Sequence, residues 1–210
     1  MKIGFLVECG PEGAETRVIS HLAKMINRKV EADIIPLGNK PNLKRQCGEY
    51  AKTLLDRGCN RVLIVWDLLS DWQEYEGKGC RHDDKEEICQ SLSAAGLHRN
   101  DKRVRLHCIE KMLEAWIIAD ERALGKFLST AAHPVSVPRN RRPEQISDPK
   151  AALTTLFKKY GGRVRQYVDR QHAIRITKRL PDLTRLRKLE SFRHFETNLT
   201  RLSGFDPTNH

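Results

Sequence analysis

Short apolar runs and amphipathic stretches alternate four times between residues 2 and 128, and this alternation limits the folds open to the chain more than any other feature. "KIGFLVE" (2–8) is apolar and partly β-branched, as suits a strand covered on both faces. Ala14, Val18, Ile19, Leu22, Ala23 and Ile26 then recur at helical spacing. "EADIIPL" reads as a second strand and "LKRQCGEYAKTLLDRGC" as a helix closed by Gly58. "VLIVWDLLSDW" (62–72) holds a third strand, and a polar loop leads from it to a helix through "EEICQSLSAAG". "RVRLHCIE" is a fourth strand, followed by "KMLEAWIIADERALGKFL" as a fourth helix. Such a pattern predicts an α/β fold, a mainly parallel sheet with helices on both faces, over residues 1–130.

Residues 131–210 differ in character. A proline-rich connector leads to "SDPKAAL", a helix start with Asp148 or Ser147 as cap and Pro149 in the first turn. Short helices broken by "YGGR" and "LPD" follow, which predicts a small basic helical extension packed on the sheet domain. The chain carries 38 Lys and Arg against 27 Asp and Glu, a net charge of +11, and the excess lies mostly beyond residue 138. A basic segment of this kind suits a polyanionic partner, nucleic acid before membrane, or else a solvated helical surface rich in Arg.

No apolar stretch is long enough to span a membrane, and "MKIGFLVECG" meets an acid too early for an export signal. Six cysteines without a CxxC pair read as free thiols of a cytoplasmic protein, with no zinc site. "GPEGAE" lacks the GK[ST] ending of a phosphate-binding loop, so ATP binding is not expected.

In parallel sheets ligands bind at the carboxyl ends of the strands. Glu8 closes the first strand and Asp67 the third, and Glu114 at the start of the fourth helix is placed to face them. Like charges gathered there cost free energy unless a proton is shared or a cation neutralises them. Oxygen donors select a hard ion, Mg²⁺ or Mn²⁺. Each acid also has a plainer reading: Glu8 as a partner of the first helix dipole, Glu114 as a surface partner of Lys111 or Arg122. "RHDDKEE" (81–87) fits the acid-rich first turn of a helix better than a metal site. Trp66 and Trp116 lie in apolar runs and read as core; Trp72 in the polar loop is the better candidate to stack on a base.

"FLVECGPEGAE", "VLIVWDLLSDW", "CIEKMLEAWIIADERAL" and "SDPKAAL" together resemble the bacterial domain-of-unknown-function family DUF4276, related to TOPRIM domains and akin to OLD-type nucleases. The resemblance covers most of residues 1–160. It implies a TOPRIM-like fold in which Glu8 matches the glutamate after the first strand and Asp67 the first aspartate of an Asp-x-Asp pair. Glu114 is similar to an acid that related nucleases hold near the metal. The second aspartate would fall at residue 69, where this chain has Leu69; Asp71 is the candidate substitute.

The activity implied is phosphodiester hydrolysis dependent on Mg²⁺ or Mn²⁺, with Glu8, Asp67, Asp71 and Glu114 as ligands. Glu8 alternatively takes the proton from the attacking water. Arg139, Arg141, Arg142 and Lys150 are candidates for contacting the phosphates of DNA or RNA. The resemblance also suggests a separate ATPase chain as partner and a place in antiviral or mobile-element gene sets. A non-catalytic nucleic-acid-binding module and a regulatory subunit of an ATPase are the alternatives.

Overall fold

All four apolar runs become strands of one sheet: β1 (Lys2–Val7), β2 (Glu31–Pro36), β3 (Arg61–Asp67) and β4 (Val104–Ile109). The structure is a computed structural model that describes residues 1–69, 81–98, 101–162 and 164–203. The strands lie in the order β2-β1-β3-β4, and every pair is parallel. Chain order therefore reverses direction between β1 and β3. In a parallel sheet this reversal opens a crevice at the carboxyl ends of the two central strands, because their following connections turn to opposite sides.

Burial follows that order. β1 and β3 are almost wholly buried, while β2, at one edge, keeps most residues partly exposed. Alternate side chains serve two cores. Phe5, Val7, Leu63 and Val65 face a large core shared with α1 (Ala14–Ile26). Leu6, Val62, Ile64 and Trp66 face a smaller one under α2 (Lys40–Asp56) and α3 (Arg81–Ala94). Those two helices touch at Gly48, where a Cβ would stand 2.0 Å from the Ser91 carbonyl oxygen.

The expected fourth helix is two helices, α4 (Leu113–Ile118) and α5 (Glu121–Leu128). Asp120 divides them, because its carboxylate accepts hydrogen bonds from the Arg122 and Ala123 amides and caps α5. Further on lie α6 (Pro149–Tyr160), capped by Asp148 through the Ala151 amide, α7 (Asp169–Thr177) and α8 (Glu190–Ser203).

These C-terminal helices complete the large core. Phe157, Tyr167, Ile176, Phe192, Phe195 and Leu199 belong to the same cluster as Phe5 and Val65. Trp116 of α4 meets Phe192 edge-on at 5.1 Å and donates its indole N–H to Ser191 Oγ at 2.7 Å. Glu144, in the connector, accepts the Glu190 and Ser191 amides at 3.1 Å each and so caps α8. No described helix is long and apolar enough to cross a membrane.

Candidate functional site

The crevice at the carboxyl ends of β1 and β3 is lined by acids. Val7 pairs in register with Val65, so Glu8 leaves β1 level with Trp66, one residue short of Asp67 on the neighbouring strand, and the two acids lie close enough to shift one another's proton affinity. Both are buried, at 8% and 6% exposure. Glu8 Oε2 and Asp67 Oδ1 have no hydrogen-bond partner among the described residues. Buried polar atoms are nearly always paired, so two unpaired carboxylate oxygens at one crevice need a physical reason.

The other Asp67 oxygen accepts from the Leu113 amide at 3.3 Å, which joins β3 to the start of α4. Lys111, two residues earlier, has a φ of 66°, the left-handed region that a lysine enters only under strain. Its carbonyl receives the Leu69 amide at 2.8 Å. This turn brings Glu114 into the crevice, where it is buried and accepts a hydrogen bond from Tyr167 at 3.3 Å. The surface pairing considered for Glu114 with Arg122 is therefore corrected: Arg122 binds Asp120 and Asp182 instead.

A fourth acid was not singled out in the sequence. Glu15, in the first turn of α1, keeps part of its surface exposed, yet burial of its carboxyl raises its pKa. Burial also drives Asp67 well above the ordinary carboxylate range, and Glu8, Glu15 and Glu114 each push it further the same way. Glu8 is raised to about 8, chiefly by burial and against the pull of the Lys40 ammonium. Tyr167 is raised by burial and by Glu114. Burial and mutual repulsion thus both oppose ionising Glu8, Glu15 and Asp67 together.

The Lys40 ammonium is engaged beneath the crevice. Lys40 Nζ donates to the Asp67 carbonyl at 3.1 Å and the Leu68 carbonyl at 3.0 Å, and pairs with Asp84 at 2.7 Å. Asp84 also accepts the Trp66 indole N–H at 3.2 Å and pairs with Lys44 at 3.4 Å. It is a first-turn acid of α3, as the sequence predicts, and at the same time a buried anchor under β3.

Of the sequence candidates, Glu8, Asp67 and Glu114 come together, and Asp71 and Trp72 lie outside the described residues. Lys150 pairs with Asp169 at 3.4 Å and draws down the pKa of Glu15, so it belongs to the rim of the crevice. Arg139, Arg141 and Arg142 are exposed in the connector. The first two line a separate cleft of about 460 Å³ with Ile118, Leu124 and Leu156.

Among the described residues no three His, Cys, Asp or Glu side chains form a set that could hold a metal ion. The donor chemistry nevertheless fits Mg²⁺ or Mn²⁺. Glu8 and Asp67 present two unpaired oxygens, and Mg²⁺ takes one or two carboxylates with water and substrate phosphate completing its shell. Leu69, where a second aspartate is expected, contributes only apolar side-chain atoms.

No curated protein and no solved structure matches the chain. One family model does, across residues 12–200, a span that takes in Glu15, Asp67 and Glu114 and begins just after Glu8. By that match the chain belongs to the family described as a domain of unknown function, DUF4276.

Proposed function

We propose that the protein is a metal-dependent nuclease of TOPRIM type that hydrolyses phosphodiester bonds at the crevice between β1 and β3. The observation that carries this reading is the pair of unpaired, buried oxygens, Glu8 Oε2 and Asp67 Oδ1, on adjacent strand ends. Leaving them unpaired is costly in isolation, and a divalent cation removes the cost by supplying the missing charge. When bound, Mg²⁺ or Mn²⁺ supplies polarisation of the phosphoryl oxygen and stabilises the leaving alkoxide. Asp67 and Glu8 would hold it, with Glu114 and Asp71 as further candidates. Glu114 is oriented by Tyr167, and Lys40 fixes the backbone from which Asp67 projects.

A carboxyl whose pKa lies near the working pH is also suited to accept a proton from an attacking water. Glu8, raised to about 8, is that group if it does not bind the ion. The likeness to TOPRIM and OLD-type nucleases supports the same chemistry, a cytoplasmic setting in bacterial defence or mobile-element systems, and a separate ATPase chain as partner.

The second reading, a non-catalytic nucleic-acid-binding module, is favoured because no three acids among the described residues converge on one point as a metal-holding group. In it the acids stay partly protonated and the basic surface does the binding.

The deciding experiment is cleavage of labelled DNA and RNA by the purified chain with Mg²⁺ or Mn²⁺. Asp67→Asn and Glu8→Gln are expected to lower the rate by roughly a hundredfold or more while nucleic-acid binding persists. Cleavage unchanged in Asp67→Asn would remove the nuclease reading. Binding without cleavage in the wild type would establish the module.

A further inference from the structure

A second cleft, of about 350 Å³, lies over the outer edge of β4 between α3 and α8. Arg81 and Lys85 line it one turn apart on α3, and His194, Thr197 and Asn198 line it from one face of α8. His107 and Cys108 of β4 form part of its floor. Among the described residues no carboxylate lines it, and every described polar side chain there is able to donate a hydrogen bond. Arg81 also pairs with Glu110, outside the lining.

His107 adds a separate sign. It is only 3% exposed, yet its Nε2 has no hydrogen-bond partner among the described residues. Its ring packs on Phe195 at 5.4 Å and on Trp116 at 6.0 Å, contacts that fix the imidazole without satisfying that nitrogen. No described strand pairs with the outer edge of β4, so its outward amides are further potential donors.

The cleft adjoins the carboxylate crevice. Cys108 pairs in register with Trp66, and Ile109 with Asp67, so the cleft floor is one strand spacing, about 5 Å, from the end of β3. The Cys108 thiol feels the charges of both Arg81 and Asp67. A donor-lined trough leading to an acidic crevice matches a polymer with regularly spaced anionic groups: the trough holds some, and the next reaches the acids.

We propose that the α3–β4–α8 cleft seats the phosphates of a nucleic-acid strand whose scissile bond lies at the crevice, with Arg81, Lys85 and His194 as strand-binding residues. This rests on the nuclease reading for the direction of the strand, and its test is made without metal so that the two stand or fall separately.

The test uses Lys85→Glu/His194→Glu in the full chain; both positions are exposed and outside the core. Binding of a fluorescent single strand, DNA and RNA in turn, is followed by anisotropy in EDTA over a range of salt. The double variant is expected to bind at least tenfold more weakly near about 100 mM salt, with a slope of log affinity against log salt shallower by about one to two. Lys85→Gln/His194→Gln should lose less, with an unchanged melting temperature, and Asp67→Asn should bind at least as well as wild type. Wild-type affinity in both double variants would overturn the proposal, as would loss of binding only in Arg139→Glu/Arg141→Glu. A wild-type chain that binds neither polymer would overturn it as well. Absent metal-dependent cleavage with the binding loss intact would defeat the nuclease reading alone.

Discussion

The ammonium of Lys40 holds the backbone of Asp67 and leaves its carboxylate alone. Nζ lies 3.1 Å from the Asp67 carbonyl and 2.7 Å from Asp84, while Asp67 Oδ1 has no partner among the described residues. Position and charge are thus handled separately: the strand end is fixed by a cation that is itself paired with Asp84. The carboxylate that β3 presents remains available for a ligand of opposite charge.

Removing that ammonium should unfold the protein more easily. Lys40→Met leaves Asp84 with the Trp66 indole and the longer Lys44 contact, and strands the buried Asp67 carbonyl and the half-buried Leu68 carbonyl. Breaking a buried ion pair from one side typically costs about 3–5 kcal/mol. A urea titration should show a loss in that range, and Lys40→Met/Asp84→Leu should lose less than the two single variants summed. Strictly additive losses would mean that the two residues do not act as a pair.

Gly48 offers a test in which propensity and packing oppose one another. It lies inside α2, where Ala is favoured over Gly by about 1 kcal/mol. The added methyl would stand 2.0 Å from the Ser91 carbonyl oxygen, so α2 and α3 would have to separate. Overpacking of this kind costs about 1–3 kcal/mol, and Gly48→Ala should lower the melting temperature despite the better propensity. A rise in melting temperature would show that the helices move apart freely.

The sheet and the core of the site were legible because both depend on short-range pattern. Apolar runs of strand length alternating with 3.6-residue periodicity leave few folds open, and Glu8 and Asp67 each sit where such a run ends. The rest depends on contacts between distant segments. Lys40 meets Asp67 across 27 residues and Tyr167 meets Glu114 across 53, and neither partner carries a local mark of the other. Asp84 reads correctly as a helix-start acid, but its burial is not legible because only the folded chain places Lys40 and Lys44 over it. Asp120 reads as one polar residue within a long helix, although its side chain ends one helix and starts another. Glu15 had a weak signal, an acid in the helix turn that follows Glu8, and the dipole of α1 accounted for it equally well.

Tyr167 tests whether Glu114 is held for a purpose. Its hydroxyl donates to the Glu114 carboxylate, and its ring packs edge-on against Phe157 at 5.5 Å. Tyr167→Phe keeps the ring and deletes the hydrogen bond, which should cost about 1–2 kcal/mol in chemical denaturation. If Glu114 serves the metal crevice, cleavage should fall several-fold with nucleic-acid affinity unchanged. A stability loss without any change in rate would make the pair structural only.

Metal-free stability should fall as pH rises, because the crevice acids prefer to be protonated in the folded chain. Glu8 is raised from 4.5 to about 8, and Asp67 and Glu15 are raised as well. A raised carboxyl pKa contributes stability in full below the unfolded value, near 4.5, and that contribution is lost as pH climbs through about 8. Denaturation in EDTA should therefore show wild type losing more stability than Glu8→Gln between about pH 5 and pH 8, by roughly 1 kcal/mol or more. Mg²⁺ or Mn²⁺ should offset the loss near pH 8. Calorimetry in buffers of different ionisation enthalpy should detect protons released on ion uptake, since carboxylate ligands must be deprotonated to bind. Parallel pH profiles for wild type and Glu8→Gln would show that Glu8 does not hold its proton in the fold. Ion uptake with no proton release near neutral pH would place the cation away from these buried acids.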